Sequence, residues 1–170
     1  MLNGTFEKNK VIVEGEGIKN LFNNGWYGNI ENNKLILDLF EAAFLLERGK
    51  IEIFKDNEKI KIDEFFGICC NLDKSFMYKY SVYSDLRNRG LTVRAGYIGT
   101  DFKVYERGAK PNKNEKIKWI VFVSSEEYPC ILEQLGKAIK LSQNIRATAV
   151  WAVVDTDLDV TYYIINSIIP

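Results

Sequence analysis

Two polar clusters and one absence bound the chemistry open to this chain of 170 residues. The first cluster is Tyr105-Glu106-Arg107-Gly108, followed by the lysine-rich run Lys110-Pro111-Asn112-Lys113-Asn114-Glu115-Lys116. A strand-end tyrosine beside several cations can have its pKa drawn below the usual value of about 10 and serve as a base. That is the sharper reading of Tyr105; the plainer one, which holds for most lone tyrosines, is packing or interface. The second cluster, Asp155-Thr156-Asp157-Leu158-Asp159, sets three carboxylates between two apolar runs. They repel one another and must be solvated or matched by cations. Such a segment is either a polar hairpin turn or a plug for a basic pocket on another chain. Calcium is not expected there, because the EF-hand register puts Val160 at the glycine position and Asn166 at the bidentate glutamate position. Gly15-Glu16-Gly17 fails as a dinucleotide loop, since the third glycine falls at Asn20.

The absence is histidine: there is none. Histidine acid–base catalysis, histidine triads and histidine-ligated metals are excluded within the chain. Lys plus Arg and Asp plus Glu number 23 each, so no global basic field advertises nucleic acid or membrane. Cys69, Cys70 and Cys130 form no metal or disulfide spacing and read as small hydrophobes in a reducing cytoplasm. Apolar runs such as Trp119 to Val123 and Ala149 to Val154 are strand-length, and the amino terminus lacks signal-peptide order. The expected protein is cytoplasmic, with no membrane contact, no metal and no cofactor.

The elements that must position these residues read as α/β (α+β) in two modules, 1–70 and 71–170. In the first, strand Val11 to Val13 is followed by a turn, a short helix and strand Lys34 to Leu37. Asp38 with Glu41 forms a capping box for a helix that Gly49 stops. Strand Lys50 to Phe54 follows, and Asp63 is the expected start of a further helix. In the second module a helix is predicted from Leu72 to Asn88, with Phe76, Tyr80, Tyr83 and Leu86 on one face. Strands are predicted over Leu91 to Tyr97, Phe102 to Tyr105 and Ile117 to Val123. A helix from about Glu126 to Gln143, with Ile131, Leu135, Ile139 and Leu141 on roughly one side, leads to strands Ala149 to Val154 and Val160 to Ile165.

The run Tyr80-Ser81-Val82-Tyr83-Ser84-Asp85-Leu86-Arg87-Asn88-Arg89-Gly90 closely resembles the YxVYxDLRxRG helix of archaeal tRNA-splicing endonucleases. Gly99-Thr100-Asp101-Phe102-Lys103-Val104-Tyr105-Glu106-Arg107-Gly108 is similar to that family's GxDFxVYERG strand. Asn144-Ile145-Arg146, Trp151 to Asp155 and Asp159 to Tyr163 resemble its closing pattern in order and spacing. The likeness covers most of residues 78–165, and the first 70 residues fit the family's amino-terminal domain in size and pattern.

The resemblance implies metal-independent cleavage of precursor tRNA at a bulge–helix–bulge, leaving a 2′,3′-cyclic phosphate and a 5′-hydroxyl. In the family a tyrosine takes the proton from the ribose 2′-oxygen, a histidine protonates the leaving oxygen, and a lysine stabilises the charged phosphorane. Tyr105 stands at the tyrosine position, Lys116 at the histidine position and Ala147 at the lysine position. Loss of a general acid costs about 10²–10⁴ in rate and loss of an electrostatic stabiliser about 10²–10³. The resemblance therefore implies the structural subunit of a heterotetramer with a catalytic partner chain. It further implies that Asp155, Asp157 and Asp159 dock into that partner, that Tyr162, Tyr163, Ile164 and Ile165 form a dimer strand, and that Arg107, Lys140 and Arg146 keep contacts to RNA phosphates. Two alternatives stay open: an active endonuclease using Tyr105 with Lys116, and a free-standing RNA-binding module.

Overall fold

The computed structural model of the chain describes residues 1–168. Its contacts divide into two compact units, Met1–Phe76 with Lys110–Lys113, and Met77–Ala109 with Asn114 onward. The first is built from β1 (Leu2–Glu7), β2 (Lys10–Glu14), α1 (Ile18–Gly25), β3 (Asn29–Glu31), β4 (Lys34–Leu37), α2 (Leu39–Glu47), β5 (Ile51–Lys55), β6 (Glu58–Lys59) and α3 (Ile62–Leu72). These strands form one mixed sheet in the order β3-β4-β2-β1-β5-β6, with β1 antiparallel to β2 and parallel to β5. Alternating buried positions Val11 and Val13, Leu35 and Leu37, and Ile51 and Ile53 make its core face. The capping box is present: Glu41 donates its backbone N–H to Asp38 Oδ1 at 2.8 Å, and Asp38 donates its own to Glu41 Oε2 at 3.0 Å. The buried Glu41 carboxylate also accepts from the Gly28 N–H at 2.9 Å. Gly28 has φ +63, and a Cβ there would stand 2.5 Å from the Ile36 carbonyl oxygen, so only glycine fits.

The sequence pattern misses β1, the strand that joins the two halves of this sheet. Its inward positions include Gly4, where a Cβ would come within 2.6 Å of Val11, so the apolar alternation is broken by a close-packing requirement. Nor is there one helix from Leu72 to Asn88. Leu72 ends α3, and α4 runs Phe76–Asn88. Between them the Asp73 carboxylate accepts from the Ser75 N–H at 2.9 Å and from its hydroxyl at 2.7 Å, which holds the chain out of helical geometry.

The second unit contains most of α4, then β7 (Thr92–Ala95), β8 (Phe102–Tyr105), β9 (Trp119–Ser125), α5 (Leu132–Asn144), β10 (Thr148–Val154) and β11 (Val160–Ile165). Its sheet runs β11-β10-β9-β8-β7; β9 and β10 are parallel and the other neighbours antiparallel. The parallel pair needs a crossover, which α5 supplies. The α/β reading therefore stands: each unit combines a mixed sheet with helices. Helix α4 grips both edge strands. Arg87 donates from Nη2 to the Val93 carbonyl on β7 at 3.0 Å, and Tyr162 on β11 donates to Asp85 Oδ2 at 2.6 Å. Phe76, Tyr80, Tyr83 and Leu86 are buried along one face of α4, as their spacing predicts, and Tyr83 packs on Phe102 at 5.8 Å between ring centroids.

Helix α5 starts at Leu132, later than its sequence pattern suggests. Ser125 and Tyr128 close a turn, with the Ser125 N–H donating to the Tyr128 carbonyl and the Tyr128 N–H to Ser125 Oγ, and Pro129 follows. The buried positions of α5 are Ala138 and Ser142, whereas Ile131 lies outside the helix, exposed at its cap. Among the described residues no helix is long and apolar enough to cross a membrane.

Candidate functional site

Three segments meet at one end of the second sheet. β8 ends in Tyr105, which the register sets opposite Thr92. The incoming end of β9 is held there by the Lys118 N–H donating to the Val104 carbonyl at 2.8 Å. The incoming end of β10 is held by the Thr148 N–H donating to the Lys118 carbonyl at 3.1 Å. Tyr105, the segment carrying Lys116 and the residue Ala147 are thus brought to the same end of three neighbouring strands. Lys116 is exposed just ahead of β9; Ala147 is half-buried, with its N–H donating to the Ser142 carbonyl at 2.8 Å.

Tyr105 does not have the electrostatics expected from its neighbours in sequence. Its side chain is 8% exposed, and burial pushes its pKa up, with Tyr97 adding to the rise; Arg94 opposes it. The opposing cation, Arg94, comes from the adjacent strand rather than from the neighbouring sequence. Desolvation outweighs that charge, so Tyr105 keeps its proton more tightly at neutral pH than a free phenol and is less available as a base.

The cations around this end differ in setting. Arg107 is exposed and its aliphatic carbons run beside Gly90, at ordinary contact distance from where a Cβ would stand. Lys140 lies on the exposed side of α5, upstream of its end. Arg146 is exposed in left-handed geometry, φ 58, just past that end, a position that favours glycine. Lys118 is paired with Glu106 at 2.9 Å.

At the other end of β10 the acidic segment is a tight turn, and its three aspartates divide into two roles. Asp155 Oδ1 accepts from the backbone N–H groups of Asp157 at 2.9 Å and Asp159 at 3.0 Å, so this carboxylate builds the turn. Leu158 takes the left-handed position, φ 65, and is partly exposed. Asp157 and Asp159 are exposed. The following β11 is a sheet edge, with Tyr163 50% and Ile164 67% exposed and Ile165 half-buried. Tyr162 points the other way, to Asp85. Burial and the negative charge of Asp85 raise its pKa, against a smaller opposing effect of Arg89, whose Nε donates to Asp85 at 3.0 Å. Sequence reasoning missed this Tyr162–Asp85 bond, although both residues lie in the quoted motifs, because nothing in spacing alone pairs a helix residue with a strand 77 residues away.

The cysteines carry no sign of reactivity. Cys69 is fully buried, and burial, with Cys70 beside it, pushes its thiol up to about 12. Cys70 and Cys130 are half-buried, and desolvation raises both.

Fold and site together define a two-unit α/β protein whose second sheet gathers a buried tyrosine and the entries of two strands at one end and carries an acidic hairpin at the other. Residues 2–66 match the family model for the tRNA intron endonuclease N-terminal domain, and residues 76–162 match that for the tRNA intron endonuclease catalytic C-terminal domain. The chain belongs to the tRNA intron endonuclease family. It is 39% identical over 156 residues to a tRNA-splicing endonuclease of Methanococcoides burtonii, covering 92% of this chain and 44% of that protein. It is 37% identical over 152 residues to a tRNA-splicing endonuclease of Thermococcus kodakarensis, covering 89% of this chain and 88% of that one. A Methanococcus maripaludis tRNA-splicing endonuclease is 35% identical over 156 residues, with 90% and 86% covered. The chain therefore spans less than half the length of the Methanococcoides relative and most of the length of the other two.

Proposed function

We propose that this chain is a non-catalytic, structural subunit of a heteromeric tRNA-splicing endonuclease, which cuts precursor tRNA at bulge–helix–bulge sites and leaves 2′,3′-cyclic phosphate and 5′-hydroxyl ends. The observation that carries the proposal is chemical: no histidine occurs in 170 residues, and Ala147 stands at the strand entry where the family places its lysine. The buried Tyr105, with its pKa raised, adds to it, since the one remaining group is a poor base.

In this role the chain positions and activates a histidine-bearing catalytic partner in a heterotetramer. The exposed Asp157 and Asp159 supply the charge for docking into a basic pocket of that partner, and Asp155 gives the turn its shape. The exposed apolar edge of Tyr163 and Ile164, with Ile165 beside them, pairs with another subunit, because an unprotected edge strand is a template for pairing. Tyr162, expected in that strand contact, serves it indirectly by fixing β11 to α4. Arg107, Lys140 and Arg146 contact RNA phosphates.

The test is cleavage of a bulge–helix–bulge RNA in EDTA, by this chain alone and mixed with a histidine-bearing homologue that is inactive alone. Cleavage in the mixture only is the expected result. Cleavage by this chain alone would overturn the proposal and assign the missing proton donor to Lys116 or another group.

A further inference from the structure

Lys103 stands two residues before Tyr105 on β8, and strand alternation puts both on the same face of the sheet. Directly opposite Lys103 on β7 is Arg94. Like charges facing each other across an antiparallel pair destabilise a sheet. Lys103 is also half-buried, and among the described residues no carboxylate forms an ion pair with it. Its ammonium instead lies 4.9 Å from the ring centroid of Tyr97, in the loop that joins the two strands. Lys118, just ahead of β9, shows the contrast: its charge is matched by Glu106 at 2.9 Å.

Burial and Arg94 both disfavour the charged form of Lys103. A fold that places two cations side by side, one of them desolvated and lacking a counter-charge, carries a standing electrostatic cost. A bound anion would reverse it. The two cations are flanked by the phenols of Tyr97 and Tyr105, which suit an anion with several acceptor oxygens and a neighbouring flat group better than a simple halide.

We propose that Arg94 and Lys103, with Tyr97 beside them, hold a phosphodiester of bound RNA on the sheet face that carries Tyr105. The site takes backbone phosphate and needs no particular base, so it positions RNA without reading its sequence. It rests on the proposal that this chain serves an RNA-processing enzyme, but uses none of the residues that proposal replaces or retains as phosphate contacts.

The experiment is a titration of a bulge–helix–bulge RNA hairpin with the full chain at several salt concentrations, for the unaltered protein and for Lys103→Met, Arg94→Met and Lys103→Arg, each with a thermal melt. Removing one phosphate contact is expected to flatten the slope of log affinity against log salt by about one, alike for hairpins of different sequence. Lys103→Arg should keep the slope. Lys103→Met should also melt higher without RNA, because the like-charge pair is gone; a purely structural lysine would melt lower when removed. An unchanged slope in Lys103→Met overturns the proposal, as does failure of the unaltered chain to bind the hairpin in a salt-sensitive way. Inorganic phosphate that raises the melting temperature of the unaltered chain while the RNA slope is untouched by Lys103→Met also overturns it, and points to a small-anion site. The subunit role is judged separately by cleavage in the mixture: cleavage with an unchanged slope removes the phosphate site alone, whereas a flattened slope without cleavage removes the subunit role alone.

Discussion

The two ends of β10 are built in opposite ways. At its start, beside Tyr105, main-chain bonds tie β8, β9 and β10 together, and on the proposed subunit reading Ala147 and Lys116 stand where a lysine and a histidine would act. At its end, the turn of residues 155–159 keeps three carboxylates in five residues and spends one of them on its own geometry. Main-chain bonds tolerate almost any side chain, so a site can lose its reactive groups and keep its shape. A turn with exposed carboxylates is solvated by water in the isolated chain and offers its charge to a basic partner. The contrast fits a protein that works through a partner more than through its own chemistry.

The sharpest way to break that contrast is to restore the first end. If the frame around Tyr105 is intact, Lys116→His combined with Ala147→Lys should convert an inactive chain into one that cleaves a bulge–helix–bulge RNA in EDTA. The two groups are worth about 10²–10⁴ and 10²–10³ singly, so a gain of at least about 10⁴ over the unaltered chain is expected. The readout is single-turnover cleavage with the cyclic phosphate identified at the product end. No gain in a folded double variant would mean that the buried setting of Tyr105, and not the missing partners, keeps the site silent.

The second end predicts a division of labour among the aspartates. Asp157→Asn with Asp159→Asn should abolish the complex with a catalytic partner, seen as loss of the higher mass in native mass spectrometry. The melting of the isolated chain should stay within about 0.5 kcal/mol of its original stability. Asp155→Ala should instead lower stability by about 1–2 kcal/mol, because two backbone N–H groups lose their acceptor. Equal effects of all three would show that the turn acts as a unit and would erase the distinction drawn from its hydrogen bonds.

Much of this was legible from residue types. The Asp38 and Glu41 box, the inward set Phe76, Tyr80, Tyr83 and Leu86, and strand β8 from Phe102 to Tyr105 all follow local rules of spacing and capping. What escaped depends on contacts between distant segments. β1 escaped because Gly4 takes a slot where an apolar side chain would signal a strand but where Val11 leaves no room. The break at Asp73 escaped because a two-residue side-chain bond ends a helix that apolar spacing alone would continue. The pKa of Tyr105 went the other way because burial, with Tyr97 adding to it, outweighs the opposing charge of Arg94. The three motif blocks showed which family pattern was present, but not that Asp85, Arg87 and Tyr162 are there to tie α4 to both edges of the sheet.

That tie has a pH signature of its own. Tyr162 donates to Asp85 at 2.6 Å, and replacing it with phenylalanine should cost about 2 kcal/mol, the scale of a hydrogen bond to a charged acceptor. The folded pKa of Tyr162 is raised, first by burial and then by Asp85, whereas an unfolded tyrosine ionises at about 10. Its contribution is therefore complete below about pH 10 and is lost as pH rises through the higher folded value, because the unfolded chain releases the proton first. Tyr105, raised as well, adds a dependence of the same sign, so the informative curve is the difference between the unaltered chain and Tyr162→Phe in denaturant titrations on either side of pH 10. The gap should be constant below that pH and narrow above it. A gap that ignores pH would mean that the lost stability comes from packing of the ring, and that β11 keeps its place at the subunit edge without the bond to Asp85.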